Sequence, residues 1–380
     1  MTSLSNSIKK YIEIFLLIIL TVGPFPPSVK ILIYLIIFLM CIRHTEALLR
    51  VKPLYFFLIC SMVIPMILDI RNVDSSTPYS LAGFAYLAPF VFSLVYIREF
   101  DKDEFLLKLE QVLFIVTILS LVGFLLILFK PSVIEKFPTI VFYGRRVKTI
   151  GVYNAIRDYT NVNFLQRNCG IAFEPGAFQF IPNLGIAILL GKKTEKDLLF
   201  WIKIVIYAIA VITTYSTTGF VIMAVLLLVS SFSNRKHFFM IVLVLILLSG
   251  LLLSNYQYQM DKMQAGGFGS RFENTIYVIM NYSKYVFGLG STGYDKIYNI
   301  NKKIGSWDTF TNLYLRFGLV FILIFIFLNL RLYKINILVC ITVVLTLLTE
   351  SIVGPIIVML YYYTSESNYK NCYNDERKIE

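Results

Sequence analysis

The sequence predicts an all-α, polytopic integral membrane protein of about eleven or twelve transmembrane helices, with two long loops on its non-cytoplasmic side. Three observations carry that expectation. Hydrophobic residues fill 57% of the 380 positions and charged residues only 15%, a balance far from that of soluble domains. Apolar runs recur that meet or approach the roughly 20 residues needed to cross a hydrocarbon core. Lysine and arginine collect in the short turns between those runs, as they do at the cytoplasmic ends of spanning helices.

The first run, 11–22, follows Lys9 and Lys10 and is succeeded by Pro24, Pro26 and Pro27. No small-residue cleavage site follows it, so it reads as a retained helix and not as a secretory signal. Further spans are expected at 29–42, 54–70, 79–97, 111–129, 171–190, 198–213, 219–232, 238–254 and 310–330. The last run, 335–363, carries Glu350, Ser351, Gly354 and Pro355 in its middle, which makes it either one broken helix or two short ones. No internal repeat is visible, and the chain reads as a single transmembrane domain.

A cytoplasmic N-terminus puts Lys9, Lys10, Arg43, Arg50, Lys52, Arg98, Lys102, Lys108, Lys192, Lys193, Lys196, Arg235, Lys236, Arg331 and Lys334 inside. The loops 130–170 and 255–308 then share the opposite face. Their basic residues, together with Lys30 and Arg71 in the short turns of that face, bring the raw numbers level, and density decides: the inside charges sit in short turns beside helix ends, where the bias acts most strongly. Both loops are too rich in aromatic and branched residues for disorder, and loops of that length are usually functional.

Cys41, Cys60, Cys169, Cys340 and Cys372 show no metal-ligand spacing, and His44 and His237, the only histidines, lie far apart. No disulfide framework, metal centre, histidine-based catalysis or cofactor is expected. The first loop holds Lys130, Lys136, Arg145, Arg146, Lys148, Arg157 and Arg167 against Glu135 and Asp158. Two readings fit this surplus: contact with anionic lipid headgroups, or a site for a phosphorylated lipid gripped by guanidinium groups. Membrane lipids are expected partners; nucleic acid is not.

At the end of that loop, Glu174 enters an apolar run beside Pro175 and Gly176. A carboxylate at membrane depth calls for a counter-ion, with Arg167 or Arg271 as mates; alternatively Glu174 caps the helix start, with Pro175 in the first turn. Arg316 lies inside a span and is either functional or snorkels to the interface. Glu350 with Pro355 either lines a cavity or marks a packing break. Asp101 and Asp103 spell the DxD of metal-dependent glycosyltransferases, but sit among Arg98, Lys102, Glu104 and Lys108 and read as a solvated turn.

The run from Arg167 through Gly170 to Glu174, Pro175 and Gly176 resembles the RxxGxxxEPG signature of the O-antigen and capsular polysaccharide polymerase (Wzy-type) and O-antigen ligase superfamily. Further matches follow in order. Tyr215 to Gly219 resembles that family's Ser/Thr-Gly helix entry. Ser270, Arg271 and Phe272, then Phe287 to Gly290, resemble its loop arginine before a Gly-x-Gly turn, and Asn312, Arg316 and Gly318 fall where a polar-headed helix follows. The motifs cover about 140–320. The resemblance implies a metal-independent glycosyltransferase of the bacterial cytoplasmic membrane, active on its non-cytoplasmic face. It would transfer a growing chain from undecaprenyl diphosphate to a hydroxyl of a new lipid-linked repeat, making O-antigen or capsule. It also implies a flippase and a chain-length regulator as partners. Arg167 and Arg271 are then candidates for the diphosphate, with Arg145, Arg146, Arg157, Arg316 and Asn312 as substrate-binding candidates. Glu174 is either the base or the group that fixes Arg167. Ligases of this superfamily present a non-cytoplasmic histidine, whereas His44 and His237 are expected inside, which favours a polymerase over a ligase; a flippase of lipid-linked glycans is the third reading.

Overall fold

The computed structural model describes residues 2–25, 27–40, 56–64, 89, 91, 100–142, 145–156, 167–192, 197–232, 276–278, 280–281, 286–290, 308–350, 352 and 354–366. Over these the chain is mostly helical, with one small antiparallel sheet. Among the described residues two helices, Lys102–Phe129 and Thr309–Lys334, are long and apolar enough to cross a membrane. The expected span at 238–254 lies outside the described residues, as do 65–70 of the span at 54–70 and most of 79–97 and of the loop 255–308, while 56–64 are helical.

Helices α1 (Thr2–Val22) and α2 (Pro27–Met40) take in the apolar runs expected at 11–22 and 29–42 as far as these are described, with α1 starting well before its run. Helix α3 (Lys102–Phe129) starts well before its apolar run, because ion pairs hold the charged first turns. Lys10 donates to both oxygens of Glu104 at 2.8 and 2.7 Å, and Lys203 donates to both oxygens of Glu110 at 3.1 Å. The span expected at 171–190 is two pieces, α4 (Pro175–Phe178) and α5 (Phe180–Gly191), parted at Gln179. Helix α6 (Leu198–Thr213) coincides with its expected run; Asp197 caps it by accepting from the Phe200 N–H at 2.8 Å. Helix α7 (Thr217–Phe232) is capped by Ser216, whose Oγ accepts from the Gly219 N–H at 3.3 Å. Asp308 caps α8 (Thr309–Arg331) and Asn336 caps α9 (Ile337–Thr349) in the same manner. The run 335–363 is therefore two helices, α9 and α10 (Pro355–Glu366), with Glu350 leaving the helix at the break.

These contacts set the helix directions. At one end Lys10 meets Glu104, and Lys192 and Lys203 meet Glu110 at 3.9 and 3.1 Å. Asn336 Nδ2 donates to the Ala187 carbonyl there at 3.4 Å, and Tyr363 Oη to the Phe100 carbonyl at 3.1 Å. At the other end Phe173 N–H donates to the Val22 carbonyl at 3.0 Å, and Asn168 N–H to the Thr213 carbonyl at 2.9 Å. Thus α1, α3 and α6 run one way, α5 returns, and α8 and α10 run opposite to α9. A charged end and a loop end result. Between them the outward faces are apolar, with Leu107, Ile115, Val122 and Leu125 of α3 and Leu323, Phe327 and Leu330 of α8 all exposed; the outer face of a helix in water is normally polar.

The all-helical expectation needs one correction, in the first long loop. After a 3-10 turn at Pro131–Lys136 the chain forms β1 (Thr139–Phe142), β2 (Arg145–Thr149) and β3 (Asn154–Ile156) in the order β1-β2-β3. Thr139 pairs with Lys148, and Lys148 in turn with Ala155. The sheet has a small apolar core of its own, in which Tyr153, Ala155 and Ile134 pack on Phe124 and Ile127 of α3. Gly123 makes that docking possible, since a Cβ there would lie 2.6 Å from the Tyr153 ring carbon Cγ. Asn154 ties the sheet to the next segment, donating from Nδ2 to the carbonyls of Ile171 and Ala172 at 2.7 and 3.1 Å.

Candidate functional site

The segment from Arg167 to Gly176 runs along the loop end, anchored from both sides. Asn168 is fully buried; its Oδ1 accepts from the Gly170 N–H at 3.0 Å and its Nδ2 donates to Thr213 Oγ1 at 3.0 Å. Arg167 turns toward the end of α6, where Nε and Nη2 donate to the carbonyls of Thr214 and Tyr215 at 2.9 and 3.3 Å. Tyr215 adopts a left-handed φ of 48°, a common way to end a helix, and its exposed carbonyls attract a cation. Of the two mates expected for Glu174, Arg167 is not paired with it, and Arg271 lies outside the described residues. Glu174 stands at the N-cap of α4 with Pro175 next, in extended backbone (φ −156°, ψ 159°), but its side chain makes no capping bond. Among the described residues its carboxylate has no hydrogen bond or ion pair.

A second carboxylate lies close by. Glu350, 5% exposed, rests on Gly176: a Cβ there would overlap Glu350 Oε1 and lie 2.7 and 2.8 Å from its Cδ and Oε2. The break that delivers Glu350 is clamped by Thr309. The Thr309 hydroxyl lies 2.6 Å from the Glu350 carbonyl and accepts from the Ile352 N–H at 2.9 Å.

Below Thr309, Asn312 and Arg316 follow on the same face of α8, by the i, i+3, i+7 spacing. Arg316 Nε donates to Asn312 Oδ1 at 2.9 Å, and the two are 6% and 7% exposed, so Arg316 does not snorkel to a surface. Two residues on, the helix is interrupted. Gly318 has φ 82° and ψ −174°, and the turn at 286–290 fills the gap. Leu289 N–H donates to the Leu315 carbonyl, and Leu319 N–H to the Val286 carbonyl, both at 2.8 Å. Those are the two backbone groups that an unbroken helix would have paired with each other. The Gly-x-Gly turn and the polar head of α8, separate motifs in the sequence, are thus one structural unit.

A polar stripe continues down α5 from Gly176 through Gln179 to Asn183. Both amides are fully buried. Asn183 Nδ2 donates to Gln179 Oε1 at 2.8 Å and to the Gly219 carbonyl at 3.2 Å, while Gln179 Nε2 and Asn183 Oδ1 have no hydrogen-bond partner among the described residues. Gly219 leaves room for the Gln179 stem, with a would-be Cβ contact at 2.9 Å.

No protein-family model, curated protein or solved structure matches the chain.

The site candidates thus divide. Arg167, Glu174, Asn312 and Arg316 all lie at or just below the loop end. Arg145 and Arg146 open β2, paired with Phe142 and Val141. Arg157 and Arg271 lie outside the described residues, as do His44 and His237. Asp101 and Asp103 are exposed, but they stand at the N-cap and in the first turn of α3 and not in a connecting turn. Among the described residues no group of three or more His, Cys, Asp or Glu could hold a metal ion. Gln179, Asn183 and Thr309 were missed by sequence reasoning. For the first two a signal existed: polar residues at helical spacing inside an otherwise apolar run.

Proposed function

We propose that the chain is a multi-pass membrane glycosyltransferase that joins undecaprenyl-diphosphate-linked oligosaccharide repeats on the non-cytoplasmic face of the bacterial cytoplasmic membrane. One observation carries the proposal: segments that resemble the polymerase motifs stand far apart in sequence yet touch. Arg167 bonds the Tyr215 carbonyl, and a Cβ on Gly288 would lie 2.7 Å from the Gly318 nitrogen. The membrane setting is supported by the two long apolar helices and the apolar outer faces of α3 and α8. The orientation is supported by the gathering of Lys10, Lys108, Lys192 and Lys203 at the end opposite the sheet.

In such a reaction the bond between the anomeric carbon of the growing chain and the diphosphate oxygen breaks. The acceptor hydroxyl oxygen bonds that carbon and loses its proton to a base, and the lipid diphosphate departs as an anion. The unengaged Glu174 carboxylate suits the base. Arg167, whose Nη1 makes no hydrogen bond among the described residues, can face a phosphate oxygen, with Arg145, Arg146, Arg157 and Arg271 as further cations.

The test is reconstitution of purified protein with short lipid-diphosphate repeats, read as a ladder on a gel with and without EDTA. A ladder that survives chelation is expected, and Glu174→Gln should slow its growth by about 100-fold or more. A single unchanged band from folded protein given the right repeat would overturn the reading in favour of a ligase or a flippase.

A further inference from the structure

The Pro-Gly pair after Glu174 invites the question of why glycine stands at 176. Its backbone has no positive φ, so conformation is not the reason. Space is. The position of its missing Cβ is taken by the carboxylate of Glu350, a residue from the far end of the chain that is itself buried. Three features deliver that carboxylate: α9 ends at Thr349, Glu350 adopts extended backbone (φ −131°, ψ 143°), and Thr309 holds the break on both sides.

Glu174 sits between two tertiary contacts. On one side the Phe173 N–H bonds the Val22 carbonyl at 3.0 Å. On the other Gly176 abuts Glu350. Since the Glu174 side chain has no bond of its own among the described residues, its direction is set by the backbone that those contacts pin. We propose that Glu350 is a positioning residue, whose carboxylate, seated on Gly176, holds the turn that aims Glu174 at the substrate. This rests on the polymerase reading for what Glu174 does, but not for where Glu350 sits.

The test couples Glu350→Gln, which keeps size and removes charge, with Gly176→Ala, whose methyl must displace the carboxylate. Each single variant should lower turnover on lipid-diphosphate repeats by about 10- to 100-fold, the scale of a small misplacement of a reacting group, with KM for the repeat little changed. The double variant should be no worse than the poorer single, because both act on one contact. Amide exchange gives an arm independent of activity: Glu350→Gln should speed exchange across 173–179 and leave 198–213 unchanged. Wild-type turnover in Glu350→Gln, multiplying effects in the double variant, or unaltered exchange across 173–179 would each overturn the proposal. If wild-type protein makes no polymer, the polymerase reading fails while the exchange arm still decides the role of Glu350.

Discussion

Gly318→Ala should destabilise the protein by about 4 kcal/mol, seen as a large fall in the unfolding midpoint in detergent. Two costs combine. A backbone at φ 82°, ψ −174° belongs to a region open essentially to glycine, and forcing another residue there costs about 1–3 kcal/mol. The new methyl would also overlap the Val286 carbonyl oxygen and the Gly288 nitrogen, backbone atoms that cannot swing aside, and overpacking adds about 1–3 kcal/mol. The damage should be local in origin: the turn at 286–290 would be expelled, leaving the Leu315 carbonyl and the Leu319 N–H without partners. A midpoint unchanged from wild type would mean that the turn does not dock in the interruption.

The second large effect is expected at the charged end. Glu110 is 1% exposed and serves Lys203 at 3.1 Å and Lys192 at 3.9 Å, with side-chain exposures of 17% and 28%. Tyr207 Oη also donates to its carbonyl at 3.0 Å, and the Tyr207 ring packs on Gly185. Glu110→Ala leaves two ammonium groups facing each other in a poorly hydrated site, and removal of one partner from a buried pair costs about 3–5 kcal/mol. Lys192 behaves differently. Burial lowers its pKa, the Glu110 carboxylate opposes that shift, and the Lys203 charge adds to it, so its charged form is a burden there. Lys192→Met should therefore change stability by no more than about 1 kcal/mol. Equal losses in Glu110→Ala and Lys192→Met would refute this ranking.

What the sequence made legible follows from the range of the interactions concerned. Helix α6 could be read because everything that defines it is local: an apolar run, Asp197 as its cap, and a polar end at Thr214. The start of α3 could not, because hydropathy marks only the run from Gln111, whereas the turns before it are held by Lys10 and Lys203 from other helices. The sheet in the first loop was hidden for a related reason. Its strands have three to five residues, and their burial depends on Gly123 admitting the Tyr153 ring. At the candidate site Arg167, Glu174 and Arg316 could be named one by one, since charges in apolar surroundings stand out, and Asn312 through the family resemblance. Their partners could not: Arg167 answers to carbonyls at Thr214 and Tyr215, and the neighbour of Gly176 is Glu350.

The seat of Glu350 on Gly176 also has a temporal side. The two residues are separated by 174 positions, from 176 to 350. At a synthesis rate of roughly 5–20 residues per second, Gly176 waits on the order of ten to thirty seconds for the carboxylate to emerge. For most of that interval α5 has been made but lacks α9, the helix that later covers it, and the buried amides of Gln179, just before α5, and of Asn183 within it face whatever surrounds the nascent chain. Assembly of the loop end is thus a late event, and a chain stalled before Ile337 would carry Glu174 on a turn with nothing behind it.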